Sequence, residues 1–465
     1  MALNNLAGGI QNAIQTNMLQ RVFEDSLRAK LGFRAIAARE PFSANIGETL
    51  TKTRPGLFPA ITTPLGAAVN TDLTSGITPQ NLNTEQYTLN IKQYGGNTML
   101  NQVTSKVAIA SVFLQNADKL AEQAARSIDM LAANAIFAAA TLGNSMTTAT
   151  GNATTLYVDS VSGMTAPFVA TVNGHAYAIT AVTAPVLTSS GVAAADFAAG
   201  NTVTAPSGWT ATTVAGGSAT AIALSGVSGF PTVYPYTISI NLNTYTVTAL
   251  ATPASLTTSG VVAGDYAANQ PVIAAGGSSM VRLGTGKLTI ASILGATNTL
   301  RSNNIPAFED GFYHCYLNPQ QLTGLYADPA FQMFFRGQID TKEYRQGIVA
   351  ELLGFRLIYT NLGPNGTIAG IPNTNRALVV GKDALVEGVF TGTGYAGVLG
   401  AENVMIADGV AHVTRDPIDA LLQVVTQSWS YIGGFVAPTD ILTNPTTIPT
   451  ATTANYKRSV VIESV

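Results

Sequence analysis

The sequence predicts an α+β body interrupted by an all-β insertion. Three observations carry this. Thr104 to Leu142 shows helical periodicity and contains neither Gly nor Pro. Between Ser145 and Met280 the charge almost vanishes. Inside that tract one phrase is written twice: "SGVAAADFAAGN" begins at Ser190 and "SGVVAGDYAANQ" at Ser259.

Composition narrows the class. Of 465 residues, 11% are charged, against roughly 25% in an average soluble protein. No stretch approaches the ~20 apolar residues of a spanning helix, so no membrane partner is expected. "MALNNLAGGI" has neither a basic start nor a continuous apolar run, and no secretory signal is expected. One cysteine, Cys315, excludes an internal disulfide framework. A net charge of -3 offers no electrostatic reason to wrap nucleic acid. Two classes fit low charge without spans. One is a protein with extensive subunit interfaces, whose cores are poor in Lys, Glu and Asp. The other is a secreted β-protein rich in Thr and Gly.

Ile10, Ile14, Met18, Val22, Leu27 and Leu31 predict a first helix. "PFSANIGETLTKTRPGLFPAITTPLG" follows, with Pro41, Pro55, Pro59 and Pro64. β-formers broken by prolines suit an extended arm with no core of its own, because proline survives only at strand edges and turns. In "EQYTLNIKQYGG", Tyr87, Leu89 and Ile91 alternate on one face of a half-buried strand. Phe113, Ala117, Leu120, Ala124, Ile128, Leu131 and Ala135 line one face of the long helix. At ~1.5 Å per residue it is expected to run about 50–60 Å. Glu122 and Arg126 form an i,i+4 pair on another face.

From Ser145 to Met280 the only charges are Asp159, Asp196 and Asp265. Short alternating runs such as "YAITAV" and "YTISINLNTYTVTAL" read as strands between Gly- and Pro-marked turns. The doubled phrase belongs to a longer correspondence. Met164 answers Phe230, Tyr177 answers Tyr245, and Gly191 answers Gly260, each pair 66 to 69 positions apart. This is a tandem duplication of one β-module, at about 153–214 and 219–275. The insertion's apolar residues are expected to be satisfied internally, and its ends to lie close together. After Met280, "GKLTIASILGATNTLRSNNI" and "QQLTGLYADPAF" read as helices, the second stopped by Pro329. "DGFYHCYLNP", "ELLGFRLIYTN", "RALVVGKDALVEGVF" and "DALLQVVTQSWSYIGGFV" read as strands.

Catalytic patterns fail one by one. "GTGYAG" at Gly392 has dinucleotide-loop spacing but no helix pattern after it, so it reads as a turn. "GTGKLT" at Gly284 has Val281 where a phosphate loop needs Gly, and Leu288 where it needs Ser or Thr. It reads as a helix N-terminus carrying Lys287. His175, His314 and His412 are scattered, without Cys or Glu at zinc-ligand spacing. His314 and Cys315 are adjacent, and on a strand they point to opposite faces. Asp408 and Asp416 read as solvated turns. Asp196 and Asp265 read as turn-capping side chains rather than calcium ligands. No catalytic residue, metal or cofactor is expected.

The order of these elements resembles the major capsid proteins of tailed bacteriophages, the Hong Kong ninety-seven-like fold, and among them the short-tailed phage coat proteins with an inserted domain. The resemblance rests on "NIGETLTKTRPG", "EQYTLNIKQYGG" leading into one long helix, "DGFYHCYLNPQQLTGLYADPAF", "ELLGFRLIYTN" and "SWSYIGGF". It implies an N-terminal arm at 1–40 and an extended loop at 41–82 reaching a neighbouring subunit. It implies a peripheral domain at 83–144 with its spine helix at 104–142. The insertion at 145–280 projects from the shell, and 281–465 forms an axial domain and returns to the peripheral one. The function implied is a shell of hexamers and pentamers around double-stranded DNA, in the virion and earlier in the host cytoplasm, with scaffolding and portal proteins as partners. Within the arm, Glu48, Lys52 and Arg54 are the candidate contacts to a neighbour. The alternatives are an encapsulin-like compartment shell and a bacterial surface adhesin with tandem Ig-like modules.

Overall fold

The computed structural model describes residues 32–42, 49–62, 84–101, 112–335, 351–390, 404–415, 424–438 and 454–465, apart from positions 59, 190, 207–208, 228–229, 232, 259, 269, 275–276, 278–279, 284–285, 364 and 369–370. The helix expected at 10–31, the "GTGYAG" turn and Asp416 lie outside the described residues. The chain divides into two compact units, one drawn from 1–50, 88–136 and 383–437, the other from 51–87, 137–382 and 438–465.

The first unit packs the long helix on a sheet. The helix is described over Val112–Ala140, about 44 Å at 1.5 Å per residue. Its buried side runs through Ala117, Leu120, Ala124, Ile128 and Ala132 to Ile136, while Leu131 and Ala135 are only half-buried. The buried face departs from the expected stripe because it advances from Leu120 to Ile136 in successive steps of four, each rotating it by about 40° on a 3.6-residue helix. Glu122 pairs with Lys119 at 2.8 Å. In the sheet, Ala37–Phe42 runs parallel to Leu385–Phe390, which pairs with the 13-residue strand Val424–Val436. That strand also pairs with Val410–Arg415 and with Lys92–Asn101. Leu120, Ala121, Ala124, Ala125 and Ile128 meet Ala407, Val410, Trp429 and Tyr431 in one core. Gly434 lets the Asn90 carbonyl approach where a Cβ would collide with it.

The second unit holds a mixed sheet, in the order Met280–Arg282, Ser459–Ser464, Ile371–Val380, Tyr313–Leu317, Phe355–Tyr359, Glu351–Leu352. Helices Ile290–Ser302 and Pro319–Tyr326 each start with a reciprocal capping box, Thr289 with Ser292 and Asn318 with Gln321. Lys287 therefore precedes its helix rather than opening it. Pro329 does not merely stop a helix; it is the first residue of the next, Pro329–Phe335. Cys315 is fully buried and His314 faces the other way, onto Asp310 and the Phe308 ring.

The strands between Asn144 and Ala274, expected to form an insertion, build two small closed barrels. In the first sheet the edge strands His175–Ile179 and Ala181–Thr183 are consecutive along the chain, so the sheet closes on itself. In the second, a bridge from Thr213 to Leu224 joins the two edges. Each barrel core draws on both sequence copies. Leu156, Val158, Tyr177 and Ile179 of copy one pack with Leu256, Val261 and Val272 of copy two. Leu187, Val192 and Val203 of copy one pack with Ile222, Ile238, Tyr245 and Val247 of copy two. The first half of one copy is completed by the second half of the other. Residues 185–252, which form the second barrel, are thus nested inside the first.

The chain enters and leaves this assembly side by side, with Asn144 opposite Ile273 and the Ala274 N–H on the Gly143 carbonyl at 2.8 Å. Internal satisfaction is incomplete. Trp209 packs edge-on against Phe137 near the end of the long helix, with ring centroids 5.5 Å apart.

Candidate functional site

The proline-broken arm is the segment where a function was expected. Thr49–Pro55 pairs with Thr84–Asn90 as a two-stranded ribbon. On the first strand Leu50, Lys52 and Arg54 share the half-buried face, alternating with exposed Thr49, Thr51, Thr53 and Pro55. Arg54 is tied within the chain. Its Nη2 donates to Glu85 Oε2 at 2.9 Å and to the Tyr456 carbonyl at 3.1 Å, and its guanidinium lies 5.1 Å over the Tyr456 ring. Glu85 is fully buried, so Arg54 offsets a charge that could not stand alone there. Glu48 lies outside the described residues. Beyond Pro55, Leu57, Phe58 and Ile61 are 60%, 55% and 76% exposed. Sequence reasoning singled out the arm's charges and passed over these apolar side chains. It also passed over Glu85 and Tyr456. An acid alternating in phase with Tyr87 and Leu89 is a signal for a buried charge in need of a partner.

Other charges serve as internal fasteners. In the first unit, buried Arg34 donates from Nε to Glu387 Oε1 at 2.8 Å and from Nη1 to Asp408 Oδ2 at 3.1 Å, while the Tyr431 hydroxyl donates to the same Glu387 oxygen at 2.9 Å. Arg39 adds a bond to Asp408 at 2.7 Å. Asp408 does occupy a turn, at φ 48, but it is an ion-pair partner rather than a solvated side chain. Asp129, in the middle of the long helix, accepts the N–H groups of Gly32 and Arg34 at 3.0 and 2.9 Å. Burial pushes its carboxyl up to about 6, against the opposing pull of those N–H groups.

The insertion's three acids are anchors too. Asp265 accepts from the Tyr177 hydroxyl, from Asn173 at 3.0 Å and from His175 at 2.8 Å. Asp196 accepts from the Tyr245 hydroxyl, from Asn241 at 3.0 Å and from Asn243 at 2.8 Å. Neither caps a turn; each binds side chains 45 to 92 residues away. The donors around Asp196, Tyr245 foremost, hold its carboxyl below the usual carboxylate range. For Asp265, burial opposes ionisation and the donors Tyr177, Asn173 and His175 outweigh it. Asp159 accepts from Ser145 at 2.6 Å and lies 3.8 Å from Arg376 of the neighbouring sheet. The carboxylates of Asp196 and Asp265 are enclosed by donors and tie distant strands together. Among the described residues, no group of three or more His, Cys, Asp or Glu could hold a metal ion, and no helix is long and apolar enough to cross a membrane.

No family model and no curated protein matches the chain. Among solved structures it is similar to the capsid asymmetric unit of cyanophage Pam1, at 10% identity and TM-score 0.46, over 95% of this chain and 92% of that one. It is similar to the acid-stable capsid of Helicobacter pylori bacteriophage KHP30, at 10% identity and TM-score 0.46, over 94% and 91%. A third likeness is to the capsid of cyanophage P-SCSP1u, at 10% identity and TM-score 0.45, over 94% and 88%.

Proposed function

We propose that this chain is the major capsid protein of a tailed bacteriophage, a building block that assembles with copies of itself into a closed shell around double-stranded DNA. The observation that carries the reading is the ribbon Thr49–Pro55 with Thr84–Asn90 and its continuation. Leu57, Phe58 and Ile61 stand exposed on a segment that prolines keep from packing on itself. Exposed clusters of large apolar side chains mark interaction surfaces, and an extended segment gains partners by lying on another surface. An 11% charge content suits large repeated interfaces. In this proposal the arm reaches a neighbouring subunit. Arg54, with Glu85 and Tyr456, fixes the root of the arm, and Lys52 and Glu48 contribute polar contacts beside the apolar ones. The helix Val112–Ala140 is the spine of one domain, the barrels at 145–280 project from the shell, and scaffolding and portal proteins join during assembly in the host.

Negative-stain microscopy and light scattering of the purified chain test this. The parent is expected to form closed particles, with or without a scaffolding protein. The variant Leu57→Ser, Phe58→Ser, Ile61→Ser is expected to stay as subunits with an unchanged circular dichroism spectrum. A parent that stays monomeric under both conditions, or a triple variant that forms normal shells, would overturn the proposal.

A further inference from the structure

We infer that Pro185 and Pro253 force the two sequence copies of the insertion to exchange halves. The inference is independent of the shell reading. In the first barrel, Thr183 of copy one faces Ser255 of copy two across the ladder. In the second, Val186 of copy one faces Thr252 of copy two. If each copy closed on itself, Thr183 would face Val186 and Thr252 would face Ser255. Each pair would then span a two-residue loop, Ala184-Pro185 in copy one and Pro253-Ala254 in copy two.

Those loops are disfavoured. The favoured two-residue hairpin loops are types I′ and II′, and both need positive φ at the first loop position; type I′ needs it at the second as well. The proline ring holds φ near about −65°. Pro253 is therefore excluded at the first position, and Pro185 is excluded at the second position of type I′. Type II′ would put Ala184 at positive φ directly before a proline, where the backbone is pushed to extended conformations. Elsewhere in the insertion the chain turns tightly through positive φ, which proline cannot adopt. Asn173 and Gly174 have φ 48 and 85, and Asn241 and Leu242 have φ 46 and 70. These turns join Phe168–Val172 to His175–Ile179 and Tyr236–Ile240 to Asn243–Thr252. A short loop costs less closure entropy than a long one. Without the prolines, the hairpin within each copy is the cheaper closure; with them, the half that fits is always the half of another copy.

The test uses paired cysteines in the full chain, whose native Cys315 is buried. Facing strand residues have Cα atoms about 4.5–5.5 Å apart, within disulfide reach. Residues three apart on an extended crossover are about 10 Å apart and out of reach. In the parent, Thr183→Cys with Ser255→Cys is expected to cross-link and Thr183→Cys with Val186→Cys is not. The two probes are then read with the crossovers relaxed by Ala184→Asn, Pro185→Gly, Pro253→Asn and Ala254→Gly. The first pair is expected to lose most of its cross-link and the second to gain one. If Asn-Gly crossovers do not fold, Gly-Gly at the same four positions is read instead. Three results overturn the inference: no 183–255 cross-link in the parent, an undiminished one in the relaxed variant, or failure of both relaxed variants to fold. The last would mean that the prolines hold the fold instead of choosing its pairing.

Discussion

The pairing of Tyr177 with Asp265, 88 positions apart, separates the nested arrangement from one in which each copy folds alone. Copies folding alone would pair Tyr177 with Asp196 instead. Tyr177 is 7% exposed and Asp265 3%, so the carboxylate depends on its donors for the solvation it has lost. A hydrogen bond to a charged acceptor contributes roughly 1.5–3 kcal/mol. Asn173 and His175 share this carboxylate and recover part of what one lost donor supplies. The expected coupling of Tyr177→Phe with Asp265→Asn is therefore about 1–2 kcal/mol. Local opening free energies from hydrogen exchange in the strands His175–Ile179 and Pro271–Ala274, measured for parent, singles and double, give this number. The companion cycle of Tyr177→Phe with Asp196→Asn should be additive within error. Coupling in the second cycle and none in the first would refute the exchanged barrels.

Arg34→Ala leaves buried Glu387 with only the half-exposed Arg39, 3.4 Å away, as its cation and is expected to cost about 3 kcal/mol by denaturant titration. Arg34→Lys should restore little, because one ammonium cannot serve Glu387 and Asp408 together. Asp129 has a folded-state pKa raised from 3.8 to about 6. The stability gained by its protonation is thus complete below the lower value and lost as pH rises through the higher one. Asp129→Asn should remove that part of the slope, and thermal melts of parent minus variant across the window should show a decline with pH. Leu242 is fully exposed at φ 70, where a left-handed backbone costs a non-glycine residue roughly 1–2 kcal/mol. Leu242→Gly loses no contact within the chain, and after the added freedom of the unfolded glycine it should raise stability by up to about 1 kcal/mol. A lower melting temperature would show that Leu242 is packed against something.

The long helix was legible because its signal is local. A Gly- and Pro-free stretch with apolar residues every three or four positions needs no partner to be recognised, and Gly143 marks its end. The alternation of Tyr87 and Leu89 belongs to the same class. The doubled phrases were legible too, since they are a property of the text. What the copies do with each other was not. Sequence similarity says that Tyr177 and Tyr245 are equivalent, but it is silent on whether Tyr177 meets Asp196 or Asp265, because both acids sit in matching phrases. The role of the arm's charges was likewise hidden. Arg54 reads as a contact to a neighbouring subunit until Glu85 and Tyr456 are brought to it, the latter from 402 positions away. Periodicity and turn chemistry act over a few residues, so the sequence by itself determined the elements, their breaks and the repeat. Pairing between strands far apart in the chain depends on register and on where each buried charge finds its donors. That is why only the tertiary structure decided which halves close each barrel and which of the few charges hold the molecule together.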